Sequence, residues 1–99
     1  MSLSTHVLDV AAGRPAVGVS VALRRDGVEV ARVVTDADGR ASFGDVEPGA
    51  VELAFAVGDY FGAREFLDVV PVRFTLAAGS HYHVPLLVSP WAYSTYRGS

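Results

Sequence analysis

The sequence contains neither cysteine nor lysine. Without cysteine there is no disulfide framework and no thiolate to act as a nucleophile or metal ligand. All eight basic residues are arginine, which suits planar, bidentate recognition, although genomic base composition explains the missing lysine better. A formal net charge of −3 argues against nucleic acid as a partner.

Long apolar runs are also missing. No stretch approaches the roughly 20 apolar residues that a membrane-spanning helix needs, so no membrane partner is expected. Residues 1–6 (MSLSTH) have neither the basic nor the apolar region of a secretory signal, which predicts a cytoplasmic protein. The chain has 99 residues, of which 51% are hydrophobic. These values predict one globular domain over 1–99, small enough to gain stability from self-association.

Short strands separated by turns account for most of the sequence. Apolar alternation predicts half-buried strands at 17–24, 51–57 and 70–76, and strand-forming residues also fill 3–10, 28–35 and 81–88. Asp26-Gly27 predicts a tight hairpin turn, and Pro71 suits an edge strand. A short helix is expected at 59–66, where Asp59 is a candidate cap. The pattern as a whole is typical of an all-β sandwich or barrel.

Three histidines are the first candidates for chemistry. His81 and His83 are two residues apart on one strand and so share a face, while His6 lies on the first strand. Histidine exchanges protons near neutral pH, so a cleft joining these groups would support general acid–base hydrolysis. The same three side chains could instead form a zinc site, although a His-x-His pair is also common on ordinary polar sheet faces.

Arg40 and the carboxyl-terminal tail are the remaining candidates. Arg40 follows the polar turn 35–39 and is either a solvated turn residue or a guanidinium fork for a planar polar ligand. The tail, residues 93–99 (YSTYRGS), carries hydroxyls and a guanidinium. Trp91, Tyr93 and Tyr96 predict a tail that is packed down or a subunit contact, since three exposed rings are unfavourable. The residues alone predict a small β-sandwich with a candidate His/Arg/Tyr cluster.

Several segments in order along the chain together resemble the transthyretin-related 5-hydroxyisourate hydrolases. They are residues 3–9 (LSTHVLD), 13–16 (GRPA), 35–40 (TDADGR), 58–61 (GDYF), 81–87 (HYHVPLL) and 93–99 (YSTYRGS). The terminal Tyr-Arg-Gly-Ser looks like the hydrolase branch, whereas the thyroid-hormone carriers of the same fold lack it. The resemblance implies a transthyretin-like two-sheet β-sandwich of about eight strands with one short helix. It also implies a homotetramer, a dimer of dimers, with active sites in the channel between the dimers.

The family's reaction opens the six-membered ring of 5-hydroxyisourate in urate breakdown by adding water across an amide bond, with no metal or organic cofactor. By motif position, the resemblance assigns catalysis to His6, Arg40, His83 and Ser99. It assigns substrate binding to His6, Arg40, Tyr96, Arg97 and Gly98. Which histidine is the base stays open, and His81 is at most a supporting group. The alternatives are a transthyretin-like binding module without catalysis, a zinc hydrolase using His6, His81 and His83, and a purely structural β-domain.

Overall fold

The structure is a computed structural model that describes residues 2–98, and it confirms the predicted all-β, two-sheet sandwich. Within these residues there are nine strands and one short helix. In chain order they are β1 (Ser2–Asp9), β2 (Arg14–Pro15), β3 (Ser20–Arg25), β4 (Val28–Val34), β5 (Arg40–Asp45), β6 (Gly49–Ala56), α1 (Val57–Phe61), β7 (Val69–Leu76), β8 (His81–Val88) and β9 (Tyr93–Thr95). No helix in this part of the chain is long and apolar enough to cross a membrane.

The order of the strands places β1 at the centre of the first sheet. That sheet runs β2-β1-β8-β9, and β5 also pairs with β1. The second sheet runs β4-β3-β6-β7. Strands β1 and β8 are parallel, whereas β1 and β5 are antiparallel. Because β1 pairs with both β5 and β8, side chains from three strands meet on one face of this sheet.

Apolar side chains on the inner faces of the two sheets form the core. On β1, the side chains of Leu3, Thr5 and Val7 are fully buried, and they alternate with partly exposed residues. Thr5 is tolerated there because its hydroxyl donates to the carbonyl oxygen of Val84 at 2.7 Å. Successive side chains of a strand point to opposite faces, so burying this set turns Ser4 and His6 outward.

Two local predictions are confirmed. Asp26 and Gly27 form the turn between β3 and β4, and both have positive φ, at 53° and 77°. This is the conformation that a two-residue hairpin turn requires. Pro71 lies on β7, which is an edge strand of the second sheet, so its missing N–H interrupts no central ladder.

The helix expected at 59–66 is displaced. It occupies Val57–Phe61 and ends where Gly62 adopts the left-handed conformation, with φ of 67°. Glycine takes this conformation without steric cost, so Gly62 ends the helix. The predicted cap was also wrong, because Ala56 is the N-cap and Asp59 lies inside the first turn.

Two predictions of burial were wrong as well. Val17 was expected to share the inner face of a strand, but β3 begins only at Ser20 and Val17 is 54% exposed. The tail was expected to pack its rings down or to use them at a subunit contact. Trp91, Tyr93 and Tyr96 remain 63%, 44% and 59% exposed in the single chain, so they are not packed down, and the subunit contact stays a prediction.

A buried hydrogen bond fastens the helix to β1. The Tyr60 hydroxyl donates to Asp9 Oδ2 at 2.8 Å, and the backbone N–H of Ala12 donates to Asp9 Oδ1 at 2.9 Å. Asp9 is only 5% exposed. Burial, together with the hydrogen bond and charge of Asp9, raises the pKa of Tyr60. The carboxylate thus depends on these two donors in place of water.

We expect Tyr60→Phe to reduce the free energy of unfolding by about 1–3 kcal/mol, because it leaves one oxygen of a buried carboxylate without its donor. Urea unfolding of the wild type and the variant measures this difference. Tyr93→Phe is the matched control, since it removes a hydroxyl from an exposed ring. Equal midpoints for the two variants would show that the Asp9–Tyr60 bond does not stabilise the fold.

Candidate active site

The register of β1 with its neighbours brings the candidate residues to one outward face of the first sheet. His6 lies opposite Arg40 in the antiparallel pair of β1 and β5. Ser4 lies opposite His83 in the parallel pair of β1 and β8. The rings of His6 and His83 have their centroids 6.5 Å apart and are tilted by 36°. Three strands therefore contribute to one cluster of side chains.

The turn before β5 determines where Arg40 enters the sheet. The Asp36 carboxylate accepts hydrogen bonds from the backbone N–H groups of Asp38 at 2.9 Å and Arg40 at 3.0 Å. The hydrogen bonds from Arg40 and Asp38 lower the pKa of Asp36. Gly39 has a φ of 74°, and a Cβ there would lie 2.5 Å from the carbonyl oxygen of Val7. A side chain at this position would therefore force the turn away from β1.

The ring of His83 is held at two edges. Its Nδ1 lies 2.8 Å from the Ser4 hydroxyl oxygen. On the other side, the backbone N–H of Gly98 donates to the His83 carbonyl oxygen at 2.6 Å. A Cβ on Gly98 would lie only 2.8 Å from His83 Cδ2. Since Nδ1 and Cδ2 are the two ring atoms bonded to Cγ, this arrangement leaves Nε2 and Cε1 at the free end of the ring.

The surroundings of His83 favour its neutral form. Burial lowers its pKa below the usual histidine value, and the neighbouring charges of His6, Arg40 and His81 lower it further. Desolvation and nearby positive charge both disfavour the imidazolium cation. At neutral pH, His83 is therefore able to accept a proton.

An open groove of about 550 Å³ lies over this part of the sheet. Arg40, His81 and His83 line it together with three residues that were not predicted as site residues, Ser4, Asp36 and Ser42. Only Ser4 had a visible signal, because it is two residues before His6 and must share its face. His81 is the partner of a second serine, since its Nδ1 is hydrogen-bonded to the Ser2 hydroxyl. Within residues 2–98, no three His, Cys, Asp or Glu side chains form a group that could hold a metal ion.

The tail residues are divided between two places. Gly98 reaches His83, whereas Tyr96 and Arg97 line a separate hollow together with Tyr82 and Val84. The Arg97 guanidinium lies over the Tyr82 ring at 3.9 Å from the centroid, a cation–π geometry, and donates to the His81 carbonyl oxygen at 3.4 Å. The structure thus joins His6, Arg40, His83 and Gly98, while the Arg97 side chain fastens the tail to β8. Ser99 lies outside the described residues.

Known proteins with this sequence pattern and fold include 5-hydroxyisourate hydrolases and a transthyretin. The model of the HIUase/Transthyretin family matches residues 3–98. A 5-hydroxyisourate hydrolase of Mesorhizobium japonicum is 49% identical, over 98% of this chain and 91% of its own. The structure of Klebsiella pneumoniae 5-hydroxyisourate hydrolase superposes with a TM-score of 0.90 at 38% identity, covering 100% of both chains.

Sea bream transthyretin, solved in complex with thyroxine, has a TM-score of 0.83 at 29% identity, covering 97% of this chain and 93% of its own. This transthyretin therefore shares the fold at lower sequence identity than either hydrolase. A family match over nearly the whole length, together with near-half identity to a full-length relative, leads to one conclusion: this chain belongs to the HIUase/Transthyretin family.

Proposed function

We propose that this chain is a hydrolase that opens the ring of 5-hydroxyisourate to give 2-oxo-4-hydroxy-4-carboxy-5-ureidoimidazoline in urate breakdown. The observation that carries the proposal is the position of His83, which is held between Ser4 and Gly98 beside His6 and Arg40. Relatives named 5-hydroxyisourate hydrolase, with 48–49% identity over 98% of the chain, support it. The cytoplasmic location expected from the sequence stays a prediction.

The proposed chemistry uses His83 as the general base. Its free ring nitrogen takes a proton from water as the water oxygen bonds to the amide carbonyl carbon of the substrate. Arg40 stabilises the negative charge that develops on the carbonyl oxygen, through charge-assisted hydrogen bonds. The carbon–nitrogen bond then breaks, and the leaving nitrogen receives a proton from one of the two histidines, His83 or His6.

The tail has a supporting part in this proposal. Gly98 backs the His83 ring, and Arg97 holds the tail on β8 through Tyr82 and the carbonyl oxygen of His81. Direct contact of Tyr96, Arg97 or Gly98 with the substrate stays a prediction from the family resemblance. The catalytic role of Ser99, which follows Gly98 in the sequence, is also a prediction from that resemblance.

The direct test is turnover of 5-hydroxyisourate generated from urate by urate oxidase, followed by its ultraviolet decay with and without a chelator. We expect this chain to accelerate the decay well beyond the spontaneous rate in both samples. Acceleration that is lost with the chelator would instead support the zinc hydrolase. Folded protein without any acceleration would leave the transthyretin-like carrier or the structural domain.

Single substitutions in the cluster test the proposed roles in the same assay. We expect His83→Ala to lower kcat/KM by roughly 10²–10⁴-fold, as removal of a general base does. We expect His6→Ala to lose most of the turnover.

Arg40→Ala should lower kcat/KM roughly 10²–10³-fold. The matched variant Arg40→Lys keeps the charge but not the planar fork, so we expect only partial recovery. Full activity in any alanine variant would remove that residue from the mechanism.

Gly98→Ala tests whether the tail must pack against His83. The new Cβ would lie 2.8 Å from His83 Cδ2, so we expect the tail to leave β8 and kcat/KM to fall roughly tenfold to hundredfold. Hydrogen exchange at the amide of residue 98 should become faster, because its bond to the His83 carbonyl oxygen opens. Ser94→Ala, on the exposed strand β9, is the control and should leave both readouts unchanged. A protected amide with full activity would contradict this role of Gly98.

Self-association into a homotetramer, a dimer of dimers, is the second part of the proposal. Its support is the family resemblance and an exposed aromatic pair, Phe66 and Trp91, whose stacked rings are 67% and 63% exposed and 6.4 Å apart. Exposed aromatic surface of this kind is typical of interfaces.

We expect analytical ultracentrifugation to give a tetramer for the wild type and smaller species for Trp91→Glu, because a carboxylate on this surface opposes burial. The control is Val30→Glu, at an exposed position on the opposite edge strand β4, which should remain tetrameric. A monomeric wild type at micromolar concentration would exclude the tetramer.

A further inference from the structure

We propose that Ser4 is a positioning residue for His83: its hydroxyl oxygen accepts a hydrogen bond from Nδ1–H, so that Nε2 faces the groove without a proton. The orientation of the ring is a property of the folded chain. Its catalytic consequence rests on the proposed function, in which His83 is the base.

The position of Ser4 is set by the core and not by its own side chain. Its neighbours Leu3 and Thr5 are fully buried on the inner face, so the Ser4 side chain must point outward. The parallel register places it directly opposite His83, and the Thr5 hydroxyl locks that register through the carbonyl oxygen of Val84. The 2.8 Å contact between Ser4 Oγ and His83 Nδ1 therefore joins two side chains on fixed backbones.

The Arg40 guanidinium on the groove wall favours one of the two positions of the ring proton, since the Asp36 carboxylate of the same groove already accepts from the backbone N–H groups of Asp38 and Arg40. A neutral imidazole has one N–H, and a hydroxyl can either accept from Nδ1 or donate to it. If Ser4 donated, the proton would lie on Nε2, at the free end of a ring that lines the groove with the Arg40 guanidinium. An N–H dipole and a cation on the same groove wall repel one another. If Ser4 accepts the hydrogen bond, the proton lies on Nδ1 and this repulsion is avoided. The Nε2 lone pair is then available, because the hydrogen-bond partner of one ring nitrogen determines whether the other is protonated.

The same two strands contain a second serine–histidine pair, which serves as a control for the first. Ser2 lies opposite His81, and its hydroxyl is hydrogen-bonded to His81 Nδ1. This pair is two residues earlier on both strands and on the same face. His81, however, is exposed, and Gly98 pairs with His83 and not with His81. Removal of the Ser2 hydroxyl is therefore a matched perturbation that does not touch His83.

The first experiment measures the ring nitrogen chemical shifts of His83 by ¹⁵N NMR in the wild type, Ser4→Ala, Ser4→Thr and Ser2→Ala. We expect the wild type and Ser2→Ala to have the proton on Nδ1. Ser4→Ala should move it toward Nε2, and Ser4→Thr, which keeps a hydroxyl, should restore it. A wild-type ring protonated on Nε2, or an unchanged spectrum in Ser4→Ala, would overturn the proposal.

The second experiment measures kcat and KM of the same proteins with 5-hydroxyisourate. We expect Ser4→Ala to lower kcat roughly three- to tenfold, the value of one hydrogen bond, with little change in KM. Ser4→Thr should recover most of this loss, and Ser2→Ala should match the wild type. Equal kcat in Ser4→Ala and the wild type would overturn the catalytic part. An inactive wild type would instead refute the proposed function, while the nitrogen shifts would still decide the position of the proton.

Discussion

The parallel pairing of β1 with β8 is the contact on which the whole candidate site depends. It sets Ser4 against His83, while the antiparallel pairing on the other side of β1 sets His6 against Arg40. A slip of β1 by one residue would turn all of its side chains to the opposite face and put His6 into the core. The buried side chains of Leu3 and Val7 oppose such a slip, because it would expose them in exchange for a histidine. The same strand pairing therefore both stabilises the core and sets the geometry of the site.

Much of this arrangement could be predicted from local pattern. Alternation alone places His81 and His83 on one face of their strand, and Ser4 and His6 on one face of another strand. It also predicts the all-β class. What alternation cannot supply is the partner of each strand, because that pairing joins residues nearly 80 positions apart in the sequence. Ser4 shows this limit clearly. Its face could be predicted from its spacing to His6, but its hydrogen bond to His83 depends on a register that no local signal encodes.

The tail and the helix show two other limits of the sequence. Hydrophobicity predicted either a packed-down tail or a subunit contact, yet Trp91 and Tyr96 stay exposed because β9 lies at the edge of its sheet, where a single chain offers few neighbours. The helix was misplaced because Asp59 was taken as its cap, whereas the helix starts after Ala56 and ends at Gly62. Gly98 was assigned to substrate binding by motif position. The structure adds a packing reason for that glycine, since any Cβ there would meet the His83 ring.

The separation of inner and outer faces also explains how one fold can serve a carrier and a hydrolase. On β1 every second residue is buried, and the residues between them form the outward face; on β8 the buried apolar residues are Val84, Leu86 and Val88. Substitutions on the outward face leave the buried contacts in place, so binding and catalysis can change while the sandwich is kept. The likeness to sea bream transthyretin at 29% identity, with a TM-score of 0.83, fits this division. Because the fold is shared, the proposed function of this chain rests on a few outward side chains, His6, Arg40 and His83 above all.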